Sequence, residues 1–310
     1  MVYVLAFLTF SVVVGALIGW AIAIRQLRAG EPLVAYEPRR LAPWGLADVF
    51  FAWVAVLFLQ AVALSAATRI MGLEFFVELT DVPSKLQPIF VWFLTVPSLV
   101  AMALSVAVIR SRVGASWLDM GFDVRRIGKD VYLGCAAFVM MAPIVFGLQA
   151  LVTTYFQQTK HPLIEIAREG RDPWFLLAAG SAAVIIAPVT EEWVFRVVLQ
   201  GWLQKLFANL PSPREEVEWA AVDKPQLESG PDRTGFAAIV VSSVLFSAIH
   251  LNHGGDFVAL FVLALGLGYL YYRTNRILPS IVVHMLLNGS TFIMLAAQVF
   301  GWLPDVEAAP

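Results

Sequence analysis

Three charges stand together in the heptapeptide Thr190–Arg196 (TEEWVFR), directly after an uncharged stretch, residues 174–187. A charge at the centre of a bilayer costs about 2.5–3.5 kcal/mol, whereas one Leu, Ile, Phe or Val returns about 0.3–0.6 kcal/mol. The cost of three charges that faced lipid would therefore outweigh the gain from about ten or more apolar residues. They must face a protein interior or a water-filled cavity, where ionisable groups are candidates for function.

The spacing of these charges separates a pair from a single carboxylate. Glu192 and Arg196 are four residues apart with the acid first, which is the favourable geometry for a helical ion pair. Glu191 has no cation at helical spacing, so its carboxylate is available as a general base. Pro188, which lacks an N–H, predicts a local break in the helix just before the charges. The alternative is that all three charges form one network that packs helices together.

Two of the four histidines lie near the ends of late apolar segments. His284 and Asn288 are four residues apart, so both project from one face of a helix. His250 ends an earlier apolar segment, Phe236–His250, two segments before the one that carries His284. A histidine and an amide on one face, together with a buried glutamate and a second histidine, point to catalysis more than to packing. We assign no role to His161, expected in a loop, or to His253, expected to face solvent.

Other hydrolase signatures are missing from the chain. It has no HExxH zinc-binding helix. Asp256 lacks the GxGD spacing of intramembrane aspartyl proteases, and Ser181 lacks the GxSG surroundings of a rhomboid-type nucleophile. The single cysteine, Cys135, excludes an internal disulfide and any multi-cysteine metal site. The candidate chemistry therefore rests on glutamate, histidine and asparagine.

The elements that would position these residues are membrane helices. Of the 310 residues, 59 % are hydrophobic and 14 % charged, compared with roughly 45–50 % and 25 % in soluble domains. We predict an all-α, polytopic membrane protein with about eight spans. The predicted spans are Val2–Ile24, Trp44–Ala67, Pro88–Ile109, Val131–Phe156, Trp174–Phe207, Phe236–His250, Phe257–Tyr272 and Ile281–Phe300. The sixth and seventh are short, which favours helices buried among others.

The distribution of basic residues predicts the orientation. Most lysines and arginines lie in the loops that follow the first, third, fifth and seventh spans, which the positive-inside rule assigns to the cytoplasm. Both termini are then extracytoplasmic, and the site is expected in the cytoplasmic half of the membrane. Residues 208–235 form a polar, proline-containing stretch that predicts a mobile cytoplasmic loop. We divide the chain into N-terminal helices (1–172), a catalytic domain (173–300) and a short tail (301–310).

Three motifs in this order resemble a known family. EExxxR, FxxxH and HxxxN are similar to the motifs of the CAAX prenyl protease and bacteriocin-processing (CPBP) family, also called Abi or type II CAAX endopeptidases. They comprise Glu191, Glu192 and Arg196, then Phe246 and His250, then His284 and Asn288. The run 266–274 also looks like part of the family's third block. The resemblance covers roughly residues 174–289, and the earlier part matches only as a set of hydrophobic helices.

The resemblance implies an intramembrane, glutamate-dependent endopeptidase. By this resemblance, Glu191 and His250 activate a water molecule, His284 and Asn288 form the oxyanion hole, and Glu192, Arg196 and Phe246 give structural support. No cofactor is expected to be required. Zinc held by Glu191, His250 and His284 is the alternative, since these residue types can ligate it.

The expected partners are a peptide or protein substrate at the membrane and the lipid bilayer. A net charge of −2 gives no indication of nucleic-acid binding. We expect a multi-pass protein of the bacterial cell membrane. The second hypothesis, from a different class, is a non-catalytic membrane protein: a bacteriocin-immunity or scaffold protein, or a transporter whose charge network binds an ion.

Overall fold

The computed structural model describes residues 2–38, 41–74, 77–155, 162–170, 172–208 and 233–303. It is 82 % helical, and these residues contain no strand. The helices within the described ranges are α1 Val2–Arg28, α2 Leu46–Met71, α3 Gln87–Val113, α4 Ile127–Tyr155, α5 Pro162–Gly170, α6 Pro173–Ala208, α7 Arg233–Ala248, α8 Phe257–Thr274 and α9 Leu278–Val299. The all-α membrane fold predicted from the sequence is confirmed.

Each predicted span corresponds to a helix. Seven of the described helices are long and apolar enough to cross a membrane, and the shorter apolar helix α7 corresponds to the sixth predicted span. Helix α5 was not predicted. It has only nine residues, and a search for spans of about 20 apolar residues does not detect so short a helix. Its Ile166 and Ala167 are buried in a cluster with residues of α3 and α6. The predicted mobile loop lies almost wholly outside the described residues.

Local signals set several helix ends. At the start of α2, the backbone N–H of Gly45 donates to the Asp48 carboxylate, 3.0 Å away. Helices α2 and α3 each end at a glycine in the left-handed region, Gly72 (φ 68°) and Gly114 (φ 63°). A glycine terminates a helix in this way because it has no Cβ to clash at positive φ. Asn275 (φ 51°) has the same role after α8.

Burial places α6 and α8 at the centre of the bundle. In the most apolar stretches of α1 and α2 only 11 % of residues are buried, compared with 44 % in α6 and 56 % in α8. Helix α6 packs against α2, α3, α7, α8 and α9. The short seventh span is thus enclosed by protein, as expected, and α6 carries its charges into the interior rather than to lipid. The short sixth span, α7, keeps exposed apolar side chains that include Phe236 and Leu245, so it is only partly enclosed.

Helix α6 is not a regular α-helix. Two π-helical stretches, Ser181–Ile186 and Trp193–Gln200, flank the α-helical segment Ala187–Glu192 that carries the two glutamates. The first stretch ends just before Pro188, so the predicted disturbance takes the form of widened turns. Such turns are rare and occur often at functional sites.

Side chains from elsewhere in the chain hydrogen-bond to carbonyls of the π-helical stretches. The bonds join Asn288 Nδ2 to the Ala183 carbonyl (2.8 Å), Ser242 Oγ to the Phe195 carbonyl (3.0 Å) and Trp44 Nε1 to the Val198 carbonyl (3.0 Å). A buried carbonyl without a partner would cost free energy. These donors therefore stabilise the widened turns around the glutamates.

Polar contacts hold the connections after alternate spans together at one end of the bundle. Arg276, after α8, pairs with Asp130 at the start of α4 (2.6 Å) and with Glu37 between α1 and α2. Near the end of α6, Lys205 Nζ donates to the Trp44 carbonyl, 3.0 Å away. The connections after the first, third, fifth and seventh spans thus lie together, as the alternation of basic loops predicts. That this end is cytoplasmic stays a prediction.

Candidate active site

Glu192 and Arg196 form an ion pair in the core. Glu192 Oε2 lies 3.0 Å from Arg196 Nε, and neither side chain has any exposed surface. Arg196 also lies 3.4 Å, through Nη1, from the hydroxyl of Ser242 on α7, and its guanidinium carbon is 5.3 Å from the centre of the Phe246 ring. The arginine charge is therefore held by one carboxylate, one hydroxyl and one aromatic face.

The second oxygen of Glu192 contacts a residue of another helix. Glu192 Oε1 lies 3.0 Å from Nδ1 of His284 on α9, which is itself buried. An ionised carboxylate can only accept hydrogen bonds, so Nδ1 carries the hydrogen in this contact. Glu192 thus joins Arg196 to His284 and fixes the orientation of the imidazole ring.

Glu191 faces the other nitrogen of the same imidazole. Its Oε2 lies 3.8 Å from His284 Nε2, beyond a direct hydrogen bond but close enough for a shared water molecule. The Glu191 side chain is 26 % exposed, whereas that of Glu192 is fully buried. The two adjacent glutamates therefore differ: Glu192 is enclosed by Arg196 and His284, and Glu191 lies at an accessible edge of the site.

His250 follows the end of α7, and a backbone hydrogen bond orients it. Its Nδ1 lies 2.8 Å from the carbonyl oxygen of Phe246. Because a carbonyl only accepts, Nδ1 is the donor, and Nε2 of the neutral ring keeps its lone pair. His250 and Glu191 are close enough to interact electrostatically. The backbone of α7 therefore sets the orientation of the His250 imidazole.

Phe246 connects the parts of the site through ring contacts. Its fully buried ring has centroid distances of 4.9 Å to His250, 6.0 Å to His284 and 5.1 Å to Phe195. The contacts with His284 and Phe195 are edge-to-face, the arrangement that aromatic quadrupoles favour. Phe246 thus fixes the spacing between the imidazoles of α7 and α9.

Asn288 lies one helical turn beyond His284 on α9. Its Nδ2 donates to the Ala183 carbonyl in the first π-helical stretch, 2.8 Å away. A primary amide has two N–H groups, so one is not used in this bond. The bond positions the amide against α6, next to the segment that carries Glu191.

The electrostatics of the site leave one negative charge without a matching arginine or lysine. Arg196 compensates Glu192 within the core, and no lysine or arginine among the described residues forms an ion pair with Glu191. The nearest cationic partner that the site can supply is a protonated imidazole. Proton movement among Glu191, His284 and His250 is therefore the chemistry that the arrangement favours.

The structure thus joins Glu192, Arg196 and His284 by hydrogen bonds, places Glu191 3.8 Å from His284, and connects His250 through Phe246. The Asn288 hydrogen bond is to the Ala183 carbonyl and not to either glutamate. Among the described residues, no group of three His, Cys, Asp or Glu side chains is arranged to hold a metal ion. The described residues therefore provide no set of ligands for the zinc alternative. His161 lies outside the described residues, as does the side chain of His253.

The sequence did not predict the contact between Glu192 and His284, or the roles of Ser242 and Ala183. Glu192 and His284 are 92 positions apart, so no helical spacing could link them. Ser242 offers a weak signal, since it lies four residues before Phe246 on the same face of a helix.

Comparison with known proteins gives one finding. Residues 173–290 match a family model described as type II CAAX prenyl endopeptidase Rce1-like. This segment is Rce1-like. It includes α6, α7, α8 and the first half of α9, with every candidate residue of the site, so the resemblance predicted from the three motifs is confirmed. The chain gives no significant match to a curated protein or to a solved structure.

The Rce1-like segment belongs to an integral membrane protein, since seven of the described helices can span a bilayer. The family model covers the late helices, and α1 to α5 lie outside the match. Those earlier helices still contribute to the site region, because Trp44 and residues of α3 contact α6.

Proposed function

We propose that the protein is an intramembrane endopeptidase that hydrolyses a peptide bond of a membrane-associated substrate, with Glu191 as the general base. One observation carries the proposal: of two adjacent glutamates, Glu192 is enclosed by Arg196 and His284, while Glu191 is partly exposed and faces an imidazole across 3.8 Å. The Rce1-like match supports the reaction class.

In this mechanism Glu191 and His250 activate the nucleophile. A water molecule between them gives a proton to the Glu191 carboxylate, and the lone pair of His250 Nε2 helps to orient it. The water oxygen then forms a bond to the carbonyl carbon of the scissile peptide. A base positioned in this way contributes about 10²–10⁴-fold to the rate.

His284 and Asn288 stabilise the resulting oxyanion. Since Glu192 accepts the hydrogen on His284 Nδ1, the donor at Nε2 is the second N–H of the imidazolium form. Asn288 supplies the amide hydrogen that Ala183 does not use. When the tetrahedral intermediate collapses, the C–N bond breaks and the proton held by Glu191 passes to the leaving amine.

The assignment of the active site to the cytoplasmic half of the membrane is part of the proposal. Glu191 lies at the middle of α6, and the following turns lead to Lys205 and the end of the bundle that carries the basic connections. The positive-inside rule supports a cytoplasmic location for that end.

The test is a comparison of membranes from cells that produce the wild-type protein or Glu191→Gln. Quantitative mass spectrometry of peptide termini should show precursors that accumulate uncleaved in the variant. One of these precursors, made as a synthetic peptide, should be cleaved by purified wild-type protein and at least about 100-fold more slowly by Glu191→Gln.

The matched control is Glu31→Gln, the same change at an exposed position in the connection after α1. It should leave the peptide termini unchanged. If Glu191→Gln protein cleaves the peptide at the wild-type rate, Glu191 is not the base. If both variants leave the same set of termini as the wild type, the non-catalytic class of function is favoured instead.

A further inference from the structure

Three fully buried polar side chains extend from the site toward the basic end of the bundle. We name Arg196 and Gln200 of α6 and Ser243 of α7 the polar column. Each has zero exposed surface. Each also has one side-chain atom, Nη2, Oε1 and Oγ respectively, that has no hydrogen-bond partner among the described residues. Leaving such atoms dry and unpaired is unfavourable.

Gln200 lies at the junction of three helices. Its Nε2 donates to the Gly268 carbonyl of α8, 2.9 Å away. A Cβ at Gly268 would lie 2.9 Å from Gln200 Oε1 and 2.9 Å from Cγ2 of Ile239 on α7. Glycine at this position therefore lets α6, α7 and α8 approach closely around Gln200, whose Oε1 is left without a protein partner among the described residues.

Ser243 and Arg196 continue the column toward the site. Ser243 is four residues after Ile239, so both lie on the same face of α7. Arg196 is four residues before Gln200 on α6, and its Nη1 contacts the hydroxyl of Ser242. Arg196 is in turn paired with Glu192, which contacts His284. The polar column thus consists of positions one helical turn apart on α6, with Ser243 on the adjacent helix α7, and it ends at the ion pair of the site.

We propose that the polar column binds a short chain of ordered water molecules that connects the basic end of the bundle to the active site. The existence of this chain is independent of catalysis. Its purpose, to supply the water consumed by hydrolysis, rests on the proposed function.

The chemistry of the unpaired atoms selects water over other ligands. The Arg196 guanidinium repels a metal cation, and the carboxamide oxygen of Gln200 repels an anion. Arg196 offers a donor, Gln200 an acceptor and Ser243 a hydroxyl that is both. Water is the small neutral ligand that can meet all three, and buried water typically makes about three hydrogen bonds to groups of this kind.

The test is X-ray hydroxyl-radical footprinting of the full-length protein in lipid nanodiscs, because radiolysis of a bound water oxidises the side chain next to it. The reporter is Ile239→Met, which places an oxidisable thioether beside Gln200. The matched control is Ile109→Met on α3, since both isoleucines are buried, with exposures of 2 % and 0 %. Thermal unfolding checks that each variant is folded.

We expect oxidation of the methionine introduced by Ile239→Met to be several-fold faster than that introduced by Ile109→Met. Adding Gln200→Met, which keeps the volume but removes the polar atoms, should reduce it to the control rate. Equal slow oxidation of the two reporters would overturn the proposal, because the column would then be dry.

Turnover of the peptide separates the two proposals. Gln200→Met should lower kcat several-fold, and wild-type kcat would overturn the supply role even if the column is hydrated. Footprinting of the reporter in a Glu191→Gln background should be unchanged. If instead Glu191→Gln protein remains active, the proposed function fails while the footprint still reports the water chain.

Discussion

Replacing Glu192 by glutamine tests the ion pair at the centre of the site. The change keeps the size of the side chain and removes its charge, which leaves the Arg196 guanidinium in a site with no exposed surface. Removing one partner of a buried pair costs about 3–5 kcal/mol, because the other charge remains uncompensated. Arg196 keeps its contacts with Ser242 and Phe246. We therefore expect the lower end of that range, about 3 kcal/mol.

The assay is reversible unfolding in mixed micelles, followed by tryptophan fluorescence. Trp193 lies next to Glu192 and is fully buried, so its emission contributes to the change of the ten-tryptophan signal on unfolding. The comparison is the double variant Glu192→Gln/Arg196→Met, in which no unpaired charge is left. It should be more stable than Glu192→Gln alone, since the cost comes from the isolated guanidinium and not from the loss of the carboxylate.

Activity gives an independent reading of the same change. The neutral amide of a glutamine accepts a weaker hydrogen bond from His284 Nδ1 than the Glu192 carboxylate does, so the imidazole is held less firmly in both variants. Both variants should therefore have a lower kcat, including the double variant that regains stability. A loss of stability below about 1 kcal/mol for Glu192→Gln, the value typical of an exposed salt bridge, would refute the reasoning. So would a double variant that is less stable than the single one.

Three further predictions follow from the geometry. Asn288→Ala should lower kcat by about 10²–10³-fold, as expected for the loss of one oxyanion donor, in a peptide-cleavage assay. Arg276→Met should destabilise the protein by about 3 kcal/mol, measured by the same unfolding assay, because it leaves the buried Asp130 carboxylate unpaired. Treatment with a zinc chelator should leave the cleavage rate unchanged, whereas a loss of activity restored by added zinc would support the metal alternative.

The helices of this protein could be predicted because a bilayer imposes a length on them. A span needs about 20 apolar residues, and each predicted span, from Val2–Ile24 to Ile281–Phe300, has a helix in the structure. The same rule explains the missed helix α5, since nine residues leave no comparable signal. Successive spans cross the bilayer in opposite directions, so the connections after alternate spans, which carry most of the basic residues, lie at the same end of the bundle.

The candidate site could be predicted only where its residues are neighbours on one helix. Helical spacing links Glu192 to Arg196 and His284 to Asn288, and leaves Glu191 apart. Spacing does not show how α6, α7 and α9 face one another. The contact between Glu192 and His284, 3.0 Å long, crosses 92 positions of sequence and depends on helix packing.

The π-helical turns of α6 show most clearly how tertiary contacts determine local backbone structure. Pro188 predicts a disturbance next to Ser181–Ile186, but the residue types of this stretch and of Trp193–Gln200 do not specify a wider turn. The wider turns become favourable when Asn288, Ser242 and Trp44 arrive from elsewhere in the chain to bind the carbonyls.

The sequence by itself thus determined that the charges of TEEWVFR face a protein interior or a water-filled cavity and not lipid, and which of them pair along one helix. Both follow from local hydrophobicity and helical periodicity. Only the tertiary structure decided the difference between the two glutamates. Glu192 is enclosed by partners from α6 and α9, and Glu191 is turned to the accessible edge. The physical reason is that the environment of a side chain depends on what packs around it, and those neighbours come from distant parts of the chain.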